Sequence, residues 1–150
     1  MTNKEWFAQA KYGMMIHFGL YSLLAGEWKG QRTGGNAEWL QNFIGIPNRE
    51  YSQLAKVFNP IYFNAEEWVT TAKDAGMEYL VVTSKHHEGF CLFKSEVDPY
   101  NIVDATPFKR DVIKELSETD KILTALKNSG IMCAEITFRT ACAAEAIEYA

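Results

Sequence analysis

The chain has 150 residues, 47% hydrophobic and 13% aromatic, which is enough for one domain with a packed core. Its net charge is −4 and it carries no basic run, which argues against nucleic acid or an anionic membrane surface as partner. No stretch approaches the roughly 18 apolar residues of a membrane span and the N-terminus lacks the apolar centre of a signal peptide, while three scattered cysteines (Cys91, Cys133, Cys142) without a CxxC pair predict a reduced, cytoplasmic setting.

Residues 11–19 (KYGMMIHFG) hold an apolar run, Met14 to Ile16, that predicts a buried strand ending at His17. Residues 21–43 scatter Gly26, Gly30, Gly34 and Gly35 among polar residues and carry Glu27-Trp28 and Glu38-Trp39. This predicts a long loop, and long structured loops tend to be functional. Residues 48–58 space Tyr51, Leu54, Ala55 and Phe58 as one face of a short helix, closed by Asn59-Pro60. Residues 64–76 predict a second helix. Asn64 serves as its cap with Glu67 three residues on, Trp68, Ala72 and Ala75 share a face, and Gly76 ends it.

Residues 79–83 (YLVVT) are short, apolar and β-branched, the pattern of a strand buried on both faces. The strand runs into a dense polar cluster, Ser84, Lys85, His86, His87, Glu88 and Gly89. Residues 91–108 are irregular and contain Pro99 and Pro107. Residues 111–128 predict a helix with Val112, Leu116, Leu123 and Leu126 on one stripe, residues 131–138 a third strand, and residues 142–149 the start of another helix. Three strands alternating with helices predict an α/β fold with parallel strands. A closed (β/α)₈ barrel needs eight such units and about 250 residues. The expectation is a partial (β/α)₈ TIM-barrel of about three βα units with a long first βα loop.

Polar groups at the C-terminal ends of buried parallel strands are where such folds place their sites. His17, His86 and His87 are the only histidines, and each follows a predicted strand. A neutral imidazole offers one donor and one acceptor, which suits a ligand bearing hydroxyls. Trp39 adds a face for stacking and Glu38 an acceptor, so His17, Glu38, Trp39, His86 and His87 together resemble a carbohydrate subsite. The same histidines with Glu38 are also a conceivable metal set. Neighbours on an extended chain point to opposite sides, however, and no HxH or HExxH spacing occurs, so the reading takes no metal and no cofactor. Glu27-Trp28 is either a second sugar platform or a packing anchor. Glu88, Asp98, Asp104 and Asp111 are expected to be solvated or capping groups, and Cys91 a small buried residue.

The stretches WFAQAKYGMMIHFGLYS, GEWKG, AEWL, YSQLAKVFNPIYFNAEEWVTTAKDAGMEYLVVTSKHHEGFCLF and RDVIKEL resemble the N-terminal part of the retaining α-L-fucosidase family of glycoside hydrolases, over about residues 6–116. IHFG and KHHEGF, in this order, are the most specific. The resemblance implies a (β/α)₈-like catalytic domain in which His17, Glu38, Trp39, His86 and His87 grip a terminal α-L-fucose of oligosaccharides or glycoconjugates. Retaining hydrolysis needs two carboxylates about 5 Å apart. By the same resemblance both lie on later segments, so no catalytic residue is assigned and the isolated chain is expected to be inactive. The alternative is a non-catalytic fucose-binding or barrel-assembly module, which self-associates or accepts a complementing fragment.

After Glu118 the pattern changes, dividing the chain into a segment 1–118 and a tail 119–150. The tail's GIMCAEITFRTACAAEAIEYA resembles a strand and helix of 2-keto-3-deoxy-6-phosphogluconate aldolase, also a (β/α)₈ barrel. That resemblance matches a proton-transfer glutamate to Glu135 and an anion-binding arginine to Arg139. The lysine that forms the imine would lie on a later strand, so an aldolase activity is the less favoured reading.

Overall fold

The computed structural model describes residues 8–127 and 132–137, with side chains through Thr119. Three strands, β1 (Gly13–Ile16), β4 (Tyr79–Lys85) and β5 (Met132–Thr137), form one parallel sheet in the order β1-β4-β5. The middle strand is the apolar run singled out in the sequence. Leu80, Val82, Thr83, Ser84 and Lys85 are all buried there. The strand is two residues longer than its apolar stretch, because Ser84 and Lys85 also point into the protein. Among the described residues β1 is an edge strand and not the buried one expected: Met15 is 54% exposed. Ile16, the last residue of β1, lies opposite Val82, and β4 runs three residues further, to Lys85. Gly13 lets Tyr79 lie across β1, since a Cβ there would sit 2.3 Å from the tyrosine ring.

The expected first loop is built from short pieces. They are a 3₁₀ turn at Leu20–Leu23, a hairpin of β2 (Glu27–Trp28) and β3 (Gln31–Arg32), a 3₁₀ turn at Ala37–Trp39, and helix α1 (Leu40–Ile44). Elements this short leave no periodic signal in a sequence window. Residues 48–58 are not one helix. α2 (Asn48–Tyr51) tightens into a 3₁₀ segment, Ser52–Lys56, yet Tyr51, Ala55 and Phe58 are buried on one face as their spacing predicts.

Helix α3 (Ala65–Asp74) begins at Asn64, whose side chain accepts from the Glu67 amide at 3.2 Å. Its inward stripe is Ala65, Trp68, Val69 and Ala72, while Ala75 is exposed, one position further round than predicted. Gly76 takes φ 76°, a left-handed conformation that favours glycine after a helix. α3 packs on β4 and on α5 (Val112–Lys127), with Val112 and Leu116 in the shared core.

Within residues 91–108, helix α4 (Ile102–Ala105) is capped by Asn101, whose side chain accepts from the Val103 and Asp104 amides. Asp104 is exposed and accepts from the Lys94 and Asn101 side chains, while Asp111 caps α5 by accepting from the Lys114 amide at 2.8 Å, so the first is solvated and the second a cap. The expected helix at residues 142–149 and Arg139 lie outside the described residues; Glu135 is described only as the backbone partner of Val82. Among the described residues, no helix is long and apolar enough to cross a membrane.

Candidate functional site

His17 follows β1 and His86 follows β4, and the pairing of those strands sets their rings 5.8 Å apart, edge to face. The 3₁₀ turn Ala37–Trp39 then leans over the strand ends. The Trp39 indole stacks on His87 at 4.3 Å and 22°, and meets His86 edge-on at 5.8 Å. The Glu38 backbone carbonyl lies 2.9 Å from Nε2 of His87. A carbonyl can only accept, so this nitrogen carries the hydrogen, and a neutral His87 ring keeps Nδ1 as its acceptor. All five expected residues therefore meet at one end of the sheet. His86 is buried, Glu38, Trp39 and His87 are half-buried, and His17 is exposed. Glu38 enters through its carbonyl as well as its half-buried carboxylate, which the sequence did not foreshadow.

The strand-end geometry depends on a turn. β4 stops at Lys85, and the chain folds back with the Gly89 amide on the His86 carbonyl at 3.0 Å and Gly89 at φ 86°. The expectation that adjacent side chains point to opposite sides therefore fails here. The His86 and His87 rings are 4.6 Å apart, and one ligand atom each from His86, His87 and Glu88 lies within 4.8 Å of the others. These three are close enough to share a cation after small adjustment. The argument from an extended backbone does not exclude a metal here, although His87 already uses Nε2 on Glu38.

Two residues escaped the sequence reading. Tyr21 is buried, meets His86 edge-on at 5.3 Å, and hydrogen-bonds Thr83 through its hydroxyl at 3.2 Å. Its sequence signal, a tyrosine shortly after the first strand, is too common to single out. Glu88 was expected to be solvated or capping, yet its side chain is 1% exposed and its Oε2 lies 3.3 Å from Nδ1 of His86. A glutamate beside a glycine in a turn gives no sign of burial; the turn itself folds it inward.

Burial raises the phenol pKa of Tyr21, Tyr51 and Tyr100, and the nearby Glu88 carboxylate adds to the rise in each. All three hydroxyls therefore remain protonated and able to donate. Below the turn, Lys85 (4% exposed side chain) reaches Asp98 at 3.5 Å, tying β4 to residues 91–101, where Cys91 is buried as expected. Trp28 is partly buried against the core with Lys29 over its ring at 5.2 Å, and Glu27 pairs with Arg32, so this pair packs its hairpin.

The sequence model of one family, Alpha-L-fucosidase, matches residues 1–134. The chain belongs to the alpha-L-fucosidase family. Human plasma alpha-L-fucosidase is 35% identical over 130 residues, covering 81% of this chain and 27% of that protein. A putative alpha-L-fucosidase of Caenorhabditis elegans is 36% identical over 128 residues, with 78% and 26% covered. Among solved structures, the alpha-L-fucosidase AlfC from Lactobacillus casei, in complex with alpha-L-fucose product, superposes with a TM-score of 0.81 at 53% identity over 89% of this chain and 40% of AlfC. The alpha-L-fucosidase of Vibrio sp. strain EJY3 gives 0.82 at 39% identity, over 91% and 23%. The chain thus spans about a quarter of the length of these curated fucosidases. The family match also runs beyond Glu118 into β5, across the point where the sequence pattern changes.

Proposed function

We propose that this chain supplies the fucose-gripping part of an α-L-fucosidase barrel. Trp39 offers the apolar face, and His17, Glu38, His86 and His87 exchange hydrogen bonds with the hydroxyls of a terminal α-L-fucose. The observation that carries this reading is the convergence of Trp39, His86 and His87 within stacking distance at the C-terminal end of β4. A complex of the related AlfC with α-L-fucose supports the same ligand class. In this reading β1, β4 and β5 are strands of a partial (β/α)₈ barrel, and the segment from α5 through β5 is a further unit of that layer, not an aldolase site. The edge strand β1, with exposed Met15 in it and exposed Tyr12 just before it, favours association with a complementing fragment or with a second copy.

The reaction of the complete enzyme would be retaining hydrolysis, without metal, through carboxylates that the resemblance places on other segments. The chain alone therefore binds fucose and does not turn over fucosides. The test is a thermal melt with and without L-fucose beside an assay on a chromogenic fucoside. A fucose-dependent rise in Tm, lost in His86→Ala, with no turnover is expected. Absence of any rise in a folded sample would overturn the binding reading. Turnover abolished by His86→Ala would overturn the inactivity.

A further inference from the structure

Tyr21 and Thr83 are buried polar residues that the sugar-binding reading does not use. Thr83 stands in β4 one residue past the last register pair of β1 and β4, Ile16 with Val82. Its hydroxyl donates to the Ile16 carbonyl at 3.4 Å, so a side chain ties β4 to the residue just before His17. A hydroxyl has one hydrogen to give. With that hydrogen on Ile16, the Thr83 oxygen accepts at its other contact, the Tyr21 hydroxyl at 3.2 Å. Burial keeps the Tyr21 phenol protonated and able to donate. The direction of both bonds is thereby fixed, from Tyr21 to Thr83 and from Thr83 to Ile16. The Tyr21 ring also stands edge-on to His86 at 5.3 Å. Glycine at position 19 leaves it room, since a Cβ there would sit 2.9 Å from the ring.

We propose that Thr83, oriented by Tyr21, is a positioning residue: the two hydroxyls hold the end of β1 against β4 and so set the His17 ring relative to the His86 ring. Tyr21 touches His86 directly and reaches the residue before His17 through Thr83, so one side chain governs both strand ends. Thr83 is 1% and Tyr21 4% exposed, so water does not replace either bond, and a shift of β1 would leave buried polar groups unpaired. The two imidazoles, 5.8 Å apart, are therefore spaced before a sugar arrives, and binding need not order them.

The consequence for fucose rests on the sugar-binding reading above; the spacing of the rings does not. The test is the proton cross-relaxation between the His17 and His86 rings in NMR spectra of the full chain, beside titration with L-fucose and a thermal melt. The ring signals are assigned by their loss in His17→Gln and His86→Gln. The wild type is expected to show the ring-to-ring signal. Thr83→Val keeps the shape and loses the hydroxyl, so the signal weakens and fucose affinity falls about tenfold. Thr83→Ser, which keeps the hydroxyl, restores both. Tyr21→Phe keeps the ring against His86 and moves both readouts the same way by less. A wild type without the signal overturns the proposal. So does a folded Thr83→Val with the wild-type signal, whatever its Tm, or one that loses the signal while a fucose-binding wild type and the variant have equal affinity. If Thr83→Val does not fold, Tyr21→Phe decides by the same readouts. A ring signal that depends on Thr83 in a chain with no affinity for fucose overturns the sugar reading and leaves the positioning role standing.

Discussion

The Trp39 indole and the His87 imidazole are stacked 4.3 Å apart, and the residue before the tryptophan holds that imidazole through its carbonyl. One 3₁₀ turn therefore sets both the apolar face and the orientation of a ring beside it. Trp39→Ala should remove both effects and weaken fucose binding by more than about tenfold, while Trp39→Phe keeps a ring and loses less. Titration of the two variants with L-fucose by calorimetry checks this. Equal affinities for wild type and Trp39→Ala would separate the turn from the site.

Lys85 and Asp98 make a second test, this time of the support beneath the turn. Asp98→Asn leaves a buried ammonium facing an amide instead of a carboxylate. Since Asp98 remains 35% exposed and water can compensate in part, a loss of about 1–2 kcal/mol is expected, below the cost of a fully buried pair. Urea denaturation at neutral pH measures it. A midpoint unchanged from wild type would mean that the pair contributes nothing net.

Gly13 is predicted to tolerate no side chain. In Gly13→Val the first added carbon meets the Tyr79 ring at 2.3 Å, so β1 must shift away from β4 or Tyr79 must leave its rotamer. Overpacking of this kind costs about 1–3 kcal/mol, and Tyr79→Ala in the same chain should relieve part of it. A double-mutant cycle on thermal stability reads the coupling.

At the start of α3, Asn64→Ala removes the acceptor of the Glu67 amide and should cost about 1 kcal/mol, against a few tenths for Asn64→Gly. Parallel denaturant curves for the two variants distinguish a cap from a packing role. If alanine proved the milder of the two, the cap would not be what matters.

Acid should act on Asp104. Its hydrogen bond from Lys94, then that from Asn101, holds its carboxyl below the usual value of 3.8. A depressed folded value means that its contribution is present above the unfolded value and is lost as pH falls through the lower, folded one. Asp104→Asn should therefore flatten the acid limb of the stability curve below pH 3.8 and leave its slope at neutral pH alone. Urea midpoints measured at descending pH check the sign.

Much of this was legible in the sequence for reasons that differ by residue. β4 was legible because residues 79–83 must be buried to be tolerable in water, and α3 because Asn64, Trp68, Ala72 and Gly76 each sit where a helix demands them. The meeting of His17, Glu38, Trp39, His86 and His87 was legible from the strand ends and from the family resemblance. Glu88 was not, because its burial follows from a turn at Gly89 that points three successive side chains inward, and no periodicity encodes that. Nor was the structure of residues 20–44, where each element is too short to repeat a pattern.

The contacts that define the site join residues far apart along the chain. The Tyr21–Thr83 bond spans 62 residues, Thr83–Ile16 spans 67, and His87–Glu38 spans 49. Closing such long loops must precede any reward from the contacts themselves. Sugar affinity is therefore a late arrival in refolding: helices α3 and α5 can form locally and early, and the ability to hold a ligand returns only when the parallel pairing of β1 with β4 is complete.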